Sequence, residues 1–176
     1  LAQPPEEDVG PATGHFLAVQ ANPALSWDDL AQLREMTSLP IVVKGIQHAD
    51  DAREAVSRGV DGIVVSNHGG RQVDGAIPSL DALPAIAAAA GDQDLAILFD
   101  GGIRGGADAL KALALGADAV CLGRPYVWGL ALDGQAGVEA VLKMVLAELD
   151  LTMALCGLTR PEEIGPGLLA PFSASP

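Results

Sequence analysis

Segments typical of strands and helices alternate along most of this chain, and this alternation restricts the fold more than any other feature. Short β-branched runs are each followed by a helical pattern, which is typical of βα units around a parallel sheet. The predicted strands are 39–44, 62–66, 96–100 and 119–122, and the predicted helices are about 27–37, 50–58, 79–90, 107–115 and 137–155. Ser26 is the expected N-cap of the first helix. We therefore predict an α/β fold with four βα units.

Polar residues follow each predicted strand at the same end. Lys44 ends the first strand, Ser66 the second and Asp100 the third, and Gly123 and Arg124 follow the fourth. The carboxyl ends of parallel strands meet at one edge of a sheet, where the active sites of α/β barrels assemble. We therefore expect these residues to form one site.

The segment 66–72 (Ser-Asn-His-Gly-Gly-Arg-Gln) places a histidine and an arginine close together after a buried strand. The His68 imidazole can accept a proton near neutral pH, and the Arg71 guanidinium can bind a carboxylate through two parallel hydrogen bonds. Oxidation of a 2-hydroxy acid needs these two groups. Asp74 follows closely, and a salt bridge to Arg71 is as plausible as a catalytic role. We assign no role to His15 or His48, and the latter is expected near a helix cap.

The segment 100–106 (Asp-Gly-Gly-Ile-Arg-Gly-Gly) leads directly into a predicted helix. Backbone N–H groups and the positive end of the helix can face an anion there, and the glycines permit its close approach. Arg104 and Arg124 can supply the countercharge, so we predict a phosphate site; the alternative is that the glycines only form tight turns. Lys44 ends an apolar strand and needs an anion, unless it is exposed or salt-bridged.

Five ordered blocks make the chain resemble the carboxyl-terminal part of FMN-dependent 2-hydroxy acid dehydrogenases and oxidases, which include glycolate oxidase, lactate oxidase and lactate 2-monooxygenase. They lie between about Phe16 and Ile164, at 39–45 (Leu-Pro-Ile-Val-Val-Lys-Gly), 66–72, 99–104 (Phe-Asp-Gly-Gly-Ile-Arg), 111–117 (Lys-Ala-Leu-Ala-Leu-Gly-Ala) and 122–125 (Leu-Gly-Arg-Pro). The resemblance implies an FMN-type TIM (β/α)8 barrel. Because 176 residues are few for a barrel of about 250, the chain is expected to supply a partial barrel, about units five to eight. Segments 16–28 and 123–129 are most similar to lactate 2-monooxygenase-like bacterial members.

The resemblance also implies roles for the residues at the strand ends. His68 would be the base that takes the proton of the substrate's 2-hydroxyl as hydride passes to the flavin, although a carbanion route also fits, and Arg71 would hold the carboxylate. Lys44 would lie by the pyrimidine edge of the flavin. The implied FMN-binding residues are Lys44, Ser66, Asp100, Gly101, Gly102, Ile103, Arg104, Gly123 and Arg124.

On this basis the chain is divided into a loop or fragment edge over 1–15, the carboxyl-terminal half of the domain over 16–165 and a tail over 166–176. Residues that the family carries in the first half of its barrel have no matching block here. The chain alone is therefore expected to bind FMN weakly and to turn over poorly, and a full-length form is expected to be a homo-oligomer, a tetramer as in the family. Two alternatives are a non-catalytic half-barrel and another FMN barrel enzyme such as type 2 isopentenyl diphosphate isomerase, which would not need His68 and Arg71 at this spacing.

Charge and hydropathy argue against several classes of partner, and the resemblance implies a small 2-hydroxy acid substrate. The net charge is −13, and because no basic cluster is present, we expect no nucleic acid partner. The hydrophobic residues, 49% of the chain, form segments shorter than the roughly 20 residues of a membrane helix. A soluble, cytoplasmic protein without a metal site is expected. Cys121 and Cys156 lack metal or redox spacing and are predicted to be buried small hydrophobes.

Overall fold

The computed structural model of the chain describes residues 9–20, 22, 24–91 and 94–170. These residues belong to two compact units, Leu1–Ser38 and Leu39–Pro176. In the first unit, α1 spans Val9–Gln20 and α2 spans Asp29–Met36. The loop expected over 1–15 is therefore wrong for 9–15, where Pro11 occupies the first helical turn, a position that needs no N–H donor. Residues 1–8 of that expected loop and 171–176 of the expected tail lie outside the described residues.

Helix α2 begins at Asp29, two residues later than expected, and Asp28 rather than Ser26 is its N-cap. The backbone carbonyl of Ser26 accepts from the N–H of Asp29, but its side chain donates to the helix where an N-cap side chain would accept. Its N–H and its Oγ–H donate to Asp29 Oδ2 at 2.7 and 3.0 Å. The hydrogen bond from the Ser26 backbone, followed by the one from its side chain, holds the pKa of the Asp29 carboxyl below its usual value.

The second unit contains a four-stranded parallel sheet with helices between its strands. The strands are β1 (Val42–Ile46), β2 (Gly62–Val65), β3 (Ala96–Phe99) and β4 (Ala119–Val120), and the helices are α3 (Ala49–Ser57), α4 (Ser79–Ala90), α5 (Gly106–Ala114) and α6 (Arg124–Leu155). The sheet order is β1-β2-β3-β4, with every pair parallel. The predicted α/β architecture with a parallel sheet is confirmed. Short 3-10 turns lie at His68–Gly70, Pro161–Glu163 and Pro166–Leu168.

The two faces of the sheet differ in burial. Because side chains alternate along a strand, Ile63, Val65 and Phe99 share one face, where helices α3 and α4 pack, and each is fully buried. Val42 and Lys44 lie on the opposite face, and Val42 is 44% exposed. Among the described residues, β1 and β4 each pair with one strand only, so both outer edges of the sheet are open.

Strand β1 contains a bulge at its carboxyl end. Its pairing with β2 shifts between Lys44 and Ile46, so that Lys44 pairs with Val64 and Ile46 with Val65. The inserted residue is Gly45, whose φ of +101° favours glycine. Lys44 therefore ends on the open face of the sheet, whereas Ile46 is buried.

The last helix is longer than the sequence predicted. Helix α6 begins at Arg124, thirteen residues before the expected start, and is interrupted at Asp133 and Gly134. Gly129 and Gly137 lie against each other across this break, where a side chain on either would meet the other's backbone. No helix in the described ranges, α6 included, is long and apolar enough to cross a membrane.

Candidate active site

Three polar residues form a hydrogen-bonded network at the carboxyl ends of neighbouring strands. Lys44 Nζ lies 3.0 Å from Asp100 Oδ2 and donates to Ser66 Oγ at 2.8 Å. Ser66 Oγ–H donates in turn to Asp100 Oδ1. Ser66 is 1% exposed, so its hydroxyl needs these partners. Asp100 is the anion that Lys44 requires, so Lys44 is salt-bridged, which was one of the alternatives from the sequence. Lys44 also lines the neighbouring cavity.

The histidine and arginine of segment 66–72 lie on an exposed turn beside this network. Backbone N–H of His68 donates to Ser66 Oγ at 3.1 Å, and N–H of Asn67 donates to Ser79 Oγ at 2.9 Å. His68 has a φ of +55° and is the one non-glycine residue with positive φ in the described part of the chain. Such a conformation is uncommon for a side chain with a Cβ and is frequent at functional sites.

A cavity of about 180 Å³ brings the predicted site residues together. Ten of the eleven line it, and the eleventh, Ser66, is hydrogen-bonded to three of them, Lys44, His68 and Asp100. The lining residues from the predicted set are Lys44, His68, Arg71, Asp100, Gly101, Gly102, Ile103, Arg104, Gly123 and Arg124. A larger cavity of about 400 Å³ adjoins it and shares the two arginines of the predicted phosphate site.

The two arginines are held differently. The Arg104 guanidinium stacks 5.4 Å from the ring centre of Trp128 and donates from Nη1 to its neighbour's carbonyl, Ile103 O. Arg124 Nη2 donates to Gly69 O at 2.8 Å, across the site. The N–H of Arg104 is donated to Asp108 in the first turn of α5. This amide is therefore already hydrogen-bonded, whereas the sequence predicted that the backbone N–H groups at this end of α5 face an anion.

Cys121 belongs to the site, and the sequence interpretation missed it. It follows β4 on the same face as Asp100, is half-buried, and lines the smaller cavity. Burial raises the pKa of its thiol, the Asp100 carboxylate adds to this, and the Lys44 ammonium opposes it. The missed signal was its position at a strand end, equivalent to Ser66 and Asp100. Cys156 is exposed at the end of α6, so predicting it as a buried hydrophobe was wrong.

Ser79 and Asn67 are further site residues that the sequence did not single out. Ser79 is 3% exposed and lines the larger cavity with Asn67. His48 lies outside the site and caps α3, its Nδ1 accepting from N–H of Asp50. Within the described residues no ion pair joins Asp74 to Arg71, both of which are exposed. The salt bridge considered for this pair is therefore not formed.

The site residues fit a phosphorylated, partly planar group such as FMN. Cβ atoms built on Gly102 and Gly123 would have no atom within 4 Å, so both glycines face open space beside the cavity. Arg104 and Arg124 border that space with positive charge suited to a phosphate. Lys44 adds a cation at the far side, next to Asp100, whose carboxylate can accept from hydroxyl groups.

Comparison with known proteins identifies the family. Residues 2–171 match the family model described as FMN-dependent dehydrogenase. An L-lactate oxidase from Nostoc sp. is 54% identical over 154 residues, which are 88% of this chain and 42% of that protein. The 2-Hydroxyacid oxidase 1 of Mus musculus is 52% identical over 159 residues, 89% of this chain and 43% of that protein. This chain belongs to the FMN-dependent dehydrogenase family, which confirms the predicted family and its cofactor, FMN.

Solved structures agree with this assignment. A crystal structure of mandelate oxidase with (S)-4-hydroxymandelic acid superimposes with a TM-score of 0.74 at 49% identity, covering 76% of this chain and 38% of that one. A mandelate oxidase mutant with a monooxide FMN adduct superimposes with a TM-score of 0.73. The chain thus spans about two fifths of the length of the relatives it matches.

Proposed function

We propose that this chain supplies the carboxyl-terminal half of an FMN-dependent enzyme that oxidises an L-2-hydroxy acid, such as lactate or glycolate, to the 2-oxo acid. The observation that carries the proposal is the arrangement around the 180 Å³ cavity. A base, a carboxylate-binding arginine and a cradle with two arginines all border this one space. The base and the carboxylate-binding arginine come from the loop after β2, and the two cradle arginines come from the segments after β3 and β4, so all of them lie at the carboxyl ends of strands, as in barrel enzymes.

The sheet supports a partial barrel. Its four strands are parallel, both outer edges are open, and the face that carries Lys44 and Asp100 leaves the apolar Val42 44% exposed. In a (β/α)8 barrel each strand has two neighbours and this face points inward. The four βα units would then be about units five to eight. A complete barrel of this family would assemble as a homo-oligomer, for which we propose a tetramer.

The site residues have distinct roles in the proposed reaction. Arg71 binds the substrate carboxylate and orients the α-carbon, which lowers the entropic part of the barrier. An imidazole nitrogen of His68 accepts the proton of the 2-hydroxyl. Bound FMN supplies the acceptor for the two electrons. Lys44 places positive charge beside the cofactor ring, and its contact with Asp100 fixes the position of that charge.

The cradle would hold the cofactor by its phosphate and ribityl chain. Arg104 and Arg124 bind the phosphate, and the Asp100 carboxylate accepts hydrogen bonds from ribityl hydroxyls. Ser66 contacts the flavin through its oxygen or orients Lys44 towards it. The remaining members of the cradle allow close approach of the backbone: Gly101, Gly102, Ile103 and Gly123.

A non-catalytic half-barrel is the second candidate, favoured by the exposure of Val42 on the open sheet face. Such a chain would use this face for association and would not reduce a cofactor. An isopentenyl diphosphate isomerase is less consistent with the site, because the relatives reported above are named as oxidases of lactate and 2-hydroxy acids. The two candidates that remain differ in one measurable property, the reduction of bound FMN by substrate.

The test combines FMN binding with anaerobic reduction. FMN binding to the purified chain is measured by quenching of flavin fluorescence, and L-lactate is then added without oxygen while flavin absorbance is recorded. We expect bleaching, slowed by about 10²–10⁴-fold in His68→Ala, with FMN binding retained. His15→Ala, an exposed histidine on α1, is the matched control and should bleach normally. Binding without bleaching would mean that the phosphate cradle is formed and that the oxidation either needs groups this chain does not supply or does not occur, and equal bleaching in His68→Ala would exclude His68 as the base.

A further inference from the structure

The turn that carries His68 and Arg71 has an unusual backbone. His68, Gly69 and Gly70 have φ values of +55°, +67° and +72°. Glycine adopts this left-handed region without strain, but for His68 the conformation is unfavourable and persists only where surrounding groups hold it. The turn itself closes through one backbone hydrogen bond, from Gly70 N–H to Asn67 O at 3.1 Å.

Two side chains from the proposed cofactor site hold this turn from opposite sides. Ser66 Oγ accepts from His68 N–H at 3.1 Å, and Arg124 Nη2 donates to Gly69 O at 2.8 Å. The Arg124 contact joins residues 55 positions apart in sequence. It therefore links the start of α6 to the loop after β2, two elements whose strands are not neighbours in the sheet.

Two guanidinium groups approach the turn at Gly69. A Cβ built on Gly69 would lie 2.9 Å from Arg124 Nη2 and 3.7 Å from Arg71 Nη1. Two like charges this near one residue repel each other unless an anion lies between or beside them. A guanidinium has five N–H donors, so Arg124 can keep its bond to Gly69 O and still bind a phosphate through the others.

We propose that Arg124 is a positioning residue that couples occupancy of the phosphate cradle to the conformation of the His68–Arg71 turn. A bound phosphate neutralises the guanidinium pair and fixes Arg124, and Arg124 then fixes the turn through Gly69 O. The base and the carboxylate-binding arginine are thereby ordered by the cofactor's phosphate and not by its ring. This inference rests on the proposed function, because it assigns FMN to the cradle.

Hydrogen exchange of the Gly70 amide measures the coupling directly, since its N–H closes the turn. The purified chain is compared alone, with saturating FMN and with saturating riboflavin, which has the same ring and no phosphate. We expect FMN to slow Gly70 exchange severalfold and riboflavin to leave it unchanged. Arg124→Lys keeps the positive charge but lacks the planar guanidinium with its several N–H donors. In this variant FMN should no longer slow exchange of the Gly70 amide. Arg104→Lys is the control, because Arg104 donates to Ile103 O and not to the turn.

Each result decides the inference. The inference is supported if FMN, and not riboflavin, protects the Gly70 amide, and if at saturating FMN this protection is lost in Arg124→Lys and kept in Arg104→Lys. The inference is overturned if riboflavin protects the Gly70 amide as well as FMN does, or if FMN has no effect on the wild-type chain. It is also overturned if the protection survives in Arg124→Lys, or if Arg104→Lys loses as much of it as Arg124→Lys does. Failure of the proposed function is distinguishable, because a chain that shows the FMN-specific protection but no bleaching by 2-hydroxy acids would retain the coupling and lose only the oxidation.

Discussion

At the scale of single residues, the hydroxyl of Ser66 connects more of the site than any charged group does. It accepts from Lys44 Nζ and from His68 N–H, and it donates to Asp100. The sequence suggested a contact with flavin but could not distinguish it from a strand-end hydroxyl whose hydrogen bonds are made within the protein. A hydroxyl that is 1% exposed and holds three partners has a structural role as well.

Replacing Ser66 by alanine should therefore cost stability. Three polar partners would each lose a hydrogen bond at a buried position, and we expect the free energy of unfolding to fall by about 1–3 kcal/mol. Urea denaturation followed by circular dichroism measures the change. Ser57→Ala is the control, since the exposed Ser57 hydroxyl donates only to Glu54 O, and it should stay within about 0.5 kcal/mol of wild type. Indistinguishable values for the two variants would contradict this role of Ser66.

Cys121 should respond to pH differently from an ordinary thiol. Burial and the Asp100 carboxylate raise its pKa, so the fold favours the neutral thiol. Since the thiolate is the reactive form, alkylation by iodoacetamide should require a higher pH in the folded chain than in urea. The contribution of Cys121 to the free energy of unfolding is fully present below the usual thiol pKa. It decreases as the pH rises above that value, because the thiol ionises at a lower pH in the unfolded chain than in the folded one.

Mass spectrometry of the labelled peptides measures this, with the exposed Cys156 as the internal control. Cys156 should be labelled faster than Cys121 in the folded chain, and the two rates should converge in urea. Bound FMN should slow labelling of Cys121 further, because this residue lines the proposed cofactor cavity. Equal rates in the folded chain would mean that Cys121 is not enclosed by the site.

At the scale of helices, the bounds are predictable from the sequence except where glycines allow two helical segments to pack closely. Helices α3, α4 and α5 begin and end within one residue of the predicted bounds, because their apolar positions recur at helical spacing. Helix α6 was predicted from 137 only. Its glycines weaken the local helical pattern, and the tertiary contact that requires them, Gly129 against Gly137, leaves no local signal.

Gly106 illustrates the same effect at the start of α5. A Cβ there would collide with the backbone N of Leu149 in α6, where α5 and α6 pack together. Although alanine is the better helix former by about 1 kcal/mol, we expect Gly106→Ala to destabilise the chain by at least about 1–3 kcal/mol through overpacking. Gly167→Ala, with nothing within 4 Å of its Cβ, should be neutral or slightly stabilising. Thermal unfolding of both variants tests this, and a Gly106→Ala chain as stable as wild type would refute it.

At the scale of the whole molecule, an open sheet face limits what the chain can do unaided. The face that carries the site also exposes Val42, and two strand edges remain unpaired among the described residues. The sequence predicted most of the residues that line the 180 Å³ cavity, because each strand end has its own local motif. It could not predict how Ser66, Asp100 and Arg124 bond to one another, since those contacts join segments far apart in the chain.

We expect the 176 residues tested alone to oxidise lactate and glycolate poorly. The groups that would cover the open face, and so exclude water from the reacting atoms, are not among the described residues. Steady-state oxygen consumption with saturating FMN measures the activity, and a heat-inactivated sample gives the background. Turnover in the range of typical enzymes, about 1–10³ per second, would show that four βα units suffice.

The bulge in β1 has one further consequence, which concerns the phase of the strand. Lys44 lies on the open face of β1 and Ile46 on the buried face, although a regular strand would send positions 44 and 46 to the same side. The extra residue Gly45 inverts the alternation between them. A regular strand that kept Gly45 in its pairing would turn Ile46 towards the site and away from the buried face, so the bulge is as necessary here as the identity of either residue.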